Sequence, residues 1–322
     1  MTAPSRVTAS GVAVAVLANL LGGTSYVLTK IALGGLTETT LIVVRTVVAL
    51  AVLVPLAGPG LAPLLRAPGR ERRRLVVMGA AGYALPLVLA SYGLRHSTAT
   101  NAALLIAAEP LGIVLAARLV LAERLGGLRA LALLLGMTGA TVIAADGIPF
   151  VTRTWAAHPV GDLLLLAASL AWAPYSIAGK LLLGRHDPMS VSAGSLLVAL
   201  PCLVPIAALE SWGTAWDVSR LPAAVAAALA LGLFVSAGMT LLWNVALRAM
   251  DASRLAGFIA LQPLAGVLLA RIALGEHTGV FALLGGVLVL AGVYLLNAEG
   301  WMEARRRAGF EAAARPPHAK GS

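Results

Sequence analysis

Apolar runs of about 20 residues, the length a helix needs to cross roughly 30 Å of hydrocarbon, recur along the whole chain. They occupy residues 9–32, 40–58, 75–94, 99–121, 126–145, 161–183, 189–209, 222–247, 254–274 and 278–297, ten in all. Composition agrees: 59% of the 322 residues are hydrophobic and 12% charged, and the mean hydropathy is +0.90, well outside the range of soluble domains. Lipid offers backbone N–H and C=O groups no partner, so each run must close its own hydrogen bonds as a helix; the alternation of barrel strands is absent. The expected fold is an all-α integral membrane protein with ten transmembrane helices. No stretch is left for a separate catalytic domain. Residues 1–8 read as a short N-terminus and 298–322 as a disordered tail.

A net charge of +10 raises the question of nucleic acid, and the placement of the basic residues answers it. With the N-terminus inside, seventeen Lys and Arg fall in inner segments, among them Arg66, Arg70, Arg72, Arg73 and Arg74, and Arg305, Arg306 and Arg307. Three, Arg95, Arg153 and Arg220, fall in outer loops. That asymmetry orients both termini to the cytoplasm of a plasma-membrane protein and makes the basic surplus a topology signal, with no nucleic-acid partner expected. The one cysteine, Cys202, excludes a disulfide framework and a Cys-rich metal site, and reads as core filler. The stretch "RVTASGVAVAVLANLLGG" has the outline of a signal peptide, but an internal repeat requires it as the first helix.

That repeat is visible twice. "GGTSYVLTKIAL" at 22–33 aligns with "WAPYSIAGKLLL" at 172–183, setting Lys30 over Lys180 at an offset of 150, and "LVP" recurs at 53–55 and 203–205. From Leu94, "LRHSTATNAALLIAAEPLGIVLAARLVLAERLG" aligns with "LRAMDASRLAGFIALQPLAGVLLARIALGEHTG" from Leu247 at an offset of 153. The expected organisation is a five-helix repeat over 9–145, an external linker over 146–160 and a second repeat over 161–297. Five is odd, so the second copy enters the membrane from the opposite side. Such inverted repeats underlie alternating access in many transporters.

The Pro-Leu helices that end in a loop glutamate, Pro110 to Glu123 and Pro263 to Glu276, together with "GKLLL" after Trp172, Arg45 early in the second run and "GGVLVLAGVYLL" from 285, resemble the drug/metabolite transporter superfamily, specifically proteins with two EamA-type domains. The resemblance covers 9–297. It implies a ten-helix bundle with a central cavity and transport driven by an ion gradient or by exchange; it does not imply a substrate.

Polar residues inside the runs are the candidate site. Glu109 falls near mid-membrane, where an ionised carboxylate costs about 2.5 kcal/mol or more on insertion scales; it reads as a proton or cation carrier, or as a structural acid bonded across a helix interface. Its repeat partner is Gln262, and both stand before a proline, Pro110 and Pro263, expected to kink their helices and free carbonyls toward a cavity or simply to shape packing. Arg45 could attract an anionic group, pair with Glu109 or snorkel to the interface; Lys30, Arg118 and Arg271 read as snorkelling. Glu123 and Glu276 are expected to cap the next helix. Asn19, Thr24 and Tyr26, Tyr83 and Tyr92, Trp172 and Tyr175, and Trp243 and Asn244 form the expected cavity lining, aromatic area beside amides that suits an organic solute; Trp and Tyr also anchor interfaces, the reading given to Trp212 and Trp216. Gly136, Gly139, Gly285 and Gly292 are expected to allow close helix contact.

The resulting expectation is a secondary transporter exporting a small organic metabolite, an amino acid or relative, with the proton as possible coupling ion. The alternatives are a drug or organic-cation exporter of the same fold and a non-transporting scaffold. All five histidines fall in loops or the tail, no second carboxylate lies near mid-membrane, and no Walker motif occurs, so neither an enzyme nor a cofactor or metal site is expected.

Overall fold

The computed structural model describes residues 9–96, 108–123, 126–145, 159–212, 219–262, 264–266, 284–292 and 294–295, and these form helices and turns with no strand among them. The helices are α1 (Ala9–Ala32), α2 (Glu38–Ala57), α3 (Leu61–Leu65), α4 (Gly69–Val76), α5 (Leu85–Arg95), α6 (Glu109–Val120), α7 (Gly127–Ala145), α8 (Pro159–Leu170), α9 (Ala173–Leu182), α10 (Pro188–Ser211), α11 (Leu221–Ala230), α12 (Thr240–Ala249) and α13 (Ala252–Ala256). Among the described residues six stretches are long and apolar enough to cross a membrane: Ser10–Thr29, Glu38–Leu65, Gly69–Gly93, Leu163–Leu182, Pro188–Ser211 and Leu221–Ala249.

Large apolar side chains lie outside as well as inside. Leu119 is 74% exposed and Leu209 78%, which a chain in water would not sustain along whole helices but which lipid accepts. Polar side chains within the helices close on their own turns instead: Thr46 donates to the Ile42 carbonyl, Ser91 to Leu87, Ser169 to Leu165 and Ser192 to Pro188. Cys202 corrects its expected role as core filler; it is exposed on α10, its Sγ 3.6 Å from the Val198 carbonyl.

Local sequence accounts for most boundaries. Asp187 caps α10 by accepting from the Ser190 N–H at 2.9 Å, with Pro188 in the first turn, where its missing N–H costs nothing. Burial pushes the Asp187 carboxyl upward, but hydrogen bonds from Ser190 and from backbone N–H groups outweigh it and hold the group below its ordinary range. Between α4 and α5 the chain runs as a π-helix over Val77–Ala84, and between α11 and α12 another covers Leu231–Met239. Hydropathy cannot distinguish these widened turns from an α-helix, and they often accompany functional positions.

Small residues let the helices meet at their backbones. A Cβ at Gly79 would lie 2.7 Å from the Val198 Cβ, and one at Gly232 would lie 2.5 Å from the Val48 Cβ. Likewise a Cβ at Gly139 would lie 2.7 Å from the Val289 nitrogen, and one at Gly292 2.8 Å from the Gly136 nitrogen. The expected close contacts of Gly136, Gly139, Gly285 and Gly292 are therefore present.

One end of the bundle is tied by polar groups on the turn between α12 and α13. Glu123 accepts from the backbone N–H groups of Ala252 and Ser253 at 2.9 and 3.0 Å and from the Ser253 hydroxyl at 2.6 Å. It thus caps α13, a helix 129 residues away, instead of the next helix as expected. Lys180 donates to the carbonyls of Leu247 and Met250 at 2.7 and 2.6 Å, closing the C-terminal end of α12. Arg129 lies 3.4 Å from Asp251. Glu123→Ala should lower stability by about 1–3 kcal/mol, the cost of leaving buried backbone donors without partners, read as a lower thermal midpoint in detergent; an unchanged midpoint would show that the cap is dispensable.

Candidate functional site

Two helix starts, each with a proline in the first turn, frame the candidate site. The chain turns at Ala108, and α6 starts at Glu109 with Pro110 in its first turn. Pro110 therefore opens a helix instead of kinking a continuous one, because a proline in the first turn removes only an N–H that has no intrahelical acceptor. Glu109 gains from that position, since the free N–H groups and dipole at a helix start favour a negative charge. The second start follows Trp172, the residue before α9, again with a proline, Pro174. The starts belong to packed neighbours: a Cβ at Gly112, one turn into α6, would lie 3.2 Å from the Leu170 side chain at the end of α8.

The two polar residues paired by the repeat, Glu109 and Gln262, meet different fates. Gln262 donates from Nε2 to Asn19 Oδ1 at 3.0 Å, and Asn19 donates to the Ala15 carbonyl at 2.8 Å. Both amides are buried, and Gly22 and Gly23 make room for them: a Cβ at Gly23 would lie 2.6 Å from the Gln262 carbonyl oxygen. The equivalents in the other half are Ser169 and Trp172 with Ala173. Ser169 directs its hydroxyl to Leu165, and Glu109 makes no hydrogen bond or ion pair among the described residues. Among the described residues one half holds a closed amide pair and the other a carboxyl group without a partner.

Next to the second start, Trp172, Tyr83 and Tyr175 form a triangle of rings. Tyr83 meets Trp172 edge-on at 6.1 Å, Trp172 meets Tyr175 at 6.2 Å, and the tyrosines are 6.3 Å apart. Tyr83 comes from the first π segment and Tyr175 from α9. Asn244 on α12 extends the cluster, donating to the Tyr175 hydroxyl at 2.9 Å and to Ser192 Oγ at 2.8 Å. Three buried polar atoms here have no partner among the described residues: the Tyr83 hydroxyl, Trp243 Nε1 and Asn244 Oδ1. Each costs about 1–3 kcal/mol unless a ligand or water engages it, and such atoms beside aromatic rings are able to engage a polar solute. Asn244→Ala should loosen the Tyr175 and Ser192 hydroxyls and weaken solute binding several-fold, measurable by quenching of tryptophan fluorescence; unchanged affinity would place Asn244 outside the site.

Arg45 neither snorkels nor pairs with Glu109. It is 9% exposed, and its Nε donates to Ser236 Oγ, 2.7 Å away on the second π segment. Among the described residues Tyr92 is half-buried and joins no ring contact; Trp212 is 89% exposed, as an interface anchor should be. Tyr26 lies on α1 with its side chain outside the described part, and Pro263 and Glu276 lie outside the described residues. The sequence reading missed Ser236 and Ser192. Ser236 was within reach, since an offset of 153 places it over Tyr83.

Other proteins share this chain's sequence pattern and fold. A transporter from Archaeoglobus fulgidus, otherwise uncharacterised, is 30% identical over 73% of this chain and 80% of its own length. A probable terminal-alkyne amino-acid exporter from Streptantibioticus cattleyicolor is 30% identical over 79% of this chain and 82% of its own length. The threonine/homoserine exporter RhtA of Escherichia coli is similar over a shorter stretch, 38% identical across 21% of this chain and 23% of its own length. A crystal structure of 21% sequence identity superposes with a TM-score of 0.75 over 91% of this chain and 98% of the other, a likeness of fold. The EamA-like transporter family matches residues 9–145 and 159–298, and this multi-pass helical membrane protein belongs to it.

Proposed function

We propose that the chain is a secondary active exporter of a small organic metabolite, an amino acid or a related compound, that works by alternating access and couples transport to protons through Glu109. The observation that carries this reading is the broken symmetry of the site: Gln262 is closed on Asn19, while Glu109, at the start of α6, has no partner among the described residues. A carboxylic acid there can exchange a proton in one conformation and release it in another.

Two reciprocal packing contacts support the inverted repeat. Gly79 against Val198 becomes Gly232 against Val48 under the offsets of 153 and 150, and Gly139 against Val289 becomes Gly292 against Gly136 under the offset of 153. A pseudo-two-fold axis makes this exchange, and it gives the protein two near-equivalent halves that can trade roles. In the plasma membrane both termini are then cytoplasmic. A fluorescent protein fused after Ser322 should fold and fluoresce in cells, whereas an alkaline phosphatase fused there should be inactive; the opposite pattern would invert the topology.

The test of coupling is solute flux in proteoliposomes with and without an imposed pH gradient, for the native chain and for Glu109→Gln. A second reading, an organic-cation exporter with Glu109 as counter-ion, draws on the ring triangle of Tyr83, Trp172 and Tyr175, since aromatic faces attract cations. A resistance assay over a panel of quaternary ammonium compounds separates the two.

A further inference from the structure

We infer that Arg45 is the anchor for a carboxylate on the transported solute, so that the central site takes anionic or zwitterionic compounds and discriminates against the amides and amines of the same carbon skeleton. The inference deepens the exporter reading above and rests on it.

The argument starts from the cost of a buried cation. Arg45 stands about 10 Å along α2 from its start, at 1.5 Å per residue, and is 9% exposed. Removing a guanidinium from water costs several kcal/mol unless it is paired and hydrogen-bonded. Among the described residues one of its five donors is used, Nε on Ser236. No carboxylate lies within ion-pair distance of Arg45 among the described residues, and Glu109, the acidic residue nearest the bundle centre in sequence terms, does not approach it.

The bond from Nε ties the Arg45 side chain to Ser236. Ser236 lies on the π segment Leu231–Met239, and the backbone there approaches closely: a Cβ at Gly232 would be 3.0 Å from the Arg45 carbonyl oxygen. With Nε engaged, the two terminal nitrogens are left as a fork, the geometry that grips a carboxylate through two parallel hydrogen bonds. The bundle also holds unused donors: among the described residues the Tyr83 hydroxyl and the Trp243 Nε1 have no partner. Both can donate, and Trp243 can only donate. Asn244 Oδ1 is the one orphan acceptor in the cluster.

The pseudo-two-fold does not reproduce this arrangement. The counterpart of Arg45 is Ser195, whose hydroxyl donates to the Ser192 carbonyl at 2.8 Å, and the counterpart of Ser236 is Tyr83. One half supplies the cation and the other a neutral network, so one carboxylate binds per molecule and in one orientation. Ser236 is a positioning residue, holding the guanidinium through Nε.

The test compares matched ligands on one protein. Each proteinogenic amino acid, its carboxamide and its decarboxylated amine is titrated against the full chain in nanodiscs by tryptophan fluorescence, and the same compounds are offered to everted vesicles. Amino acids that bind should lose about tenfold or more as amides or amines, the range of a charge-assisted hydrogen bond of 1.4 kcal/mol or above. Arg45→Gln should bring the acid to the affinity of its amide, Arg45→Lys should fall between, and Ser236→Ala should cost a few-fold with recovery in Ser236→Thr. The ligand comparison needs no variant, so a poorly folded Arg45→Gln leaves it decisive. Amides or amines that bind as well as the acids, no binding by any acid, or unchanged acid affinity in Arg45→Gln would overturn the anchor. Vesicles that export amines in preference would keep the exporter and remove the anchor, whereas vesicles that move no compound of any class would remove the exporter reading.

Discussion

Glu109→Gln should leave the protein folded, retain exchange of solute across the membrane and abolish the response of net flux to a pH gradient. Glutamine keeps the size and hydrogen-bonding capacity of the acid and is what the repeat carries at Gln262, so the backbone around Pro110 has no reason to move. What is lost is the ability to titrate. In the proposed mechanism a proton taken up from the outer side neutralises the carboxylate, removing the penalty of roughly 2.5–3.5 kcal/mol for a charge at the bilayer centre, and its release to the inner side restores the charge. Inward proton movement then drives outward solute movement, so acidifying the outside should accelerate export. The variant should show the same flux at every imposed gradient, measured with radiolabelled solute in proteoliposomes. A gradient response equal to that of the native chain would remove Glu109 from the mechanism. Thermal stability should be equal or slightly higher in the variant, because no carboxyl is left to bury.

Gly82→Leu should have the largest structural effect. Gly82 sits in the first π segment against the start of α9, and a Cβ there would lie 2.6 Å from the Tyr175 Cα. That obstacle is backbone, so no rotamer change relieves it, and the two helices must separate. Overpacking a core by extra methylenes costs about 1–3 kcal/mol when side chains can adjust and more when they cannot. Separation would also break the Tyr83–Tyr175 contact at 6.3 Å and with it the ring triangle. Size-exclusion chromatography of the detergent-solubilised protein should show loss of the monodisperse peak for Gly82→Leu and a smaller loss for Gly82→Ala. Gly69→Ala and Gly127→Ala, where a Cβ meets nothing within 4 Å, are the matched controls and should behave as the native chain.

These expectations draw unequally on sequence and structure. That Glu109 is unusual was legible from its neighbours, since a carboxylate in "LLIAAEPLGIVL" conflicts with hydrocarbon whatever the fold. That Gln262 is engaged, while Glu109 has no partner among the described residues, was illegible, because the deciding partner, Asn19, lies 243 residues away. Arg45 shows the same division. Its depth in the run was countable, but snorkelling and inward bonding start from the same depth, and only the position of Ser236 selects between them. The cap on α13 was assigned to a local helix because loop glutamates commonly act locally; here packing brings the remote helix start to Glu123 first. The glycine contacts were anticipated, as small residues at matching places in two copies imply backbone contact, though not with which neighbour.

By itself the sequence determined the membrane class, the helical character of the spans, the duplication and the identity of the residues too polar for lipid. These follow from hydropathy, length and spacing, which are properties of short segments and survive any arrangement of those segments. Tertiary structure decided which polar groups close on one another, where the helices break or widen, and which ends are tied together. Those outcomes depend on distances between residues far apart in the chain, and a buried polar atom satisfies itself with whatever the packing brings within about 3 Å.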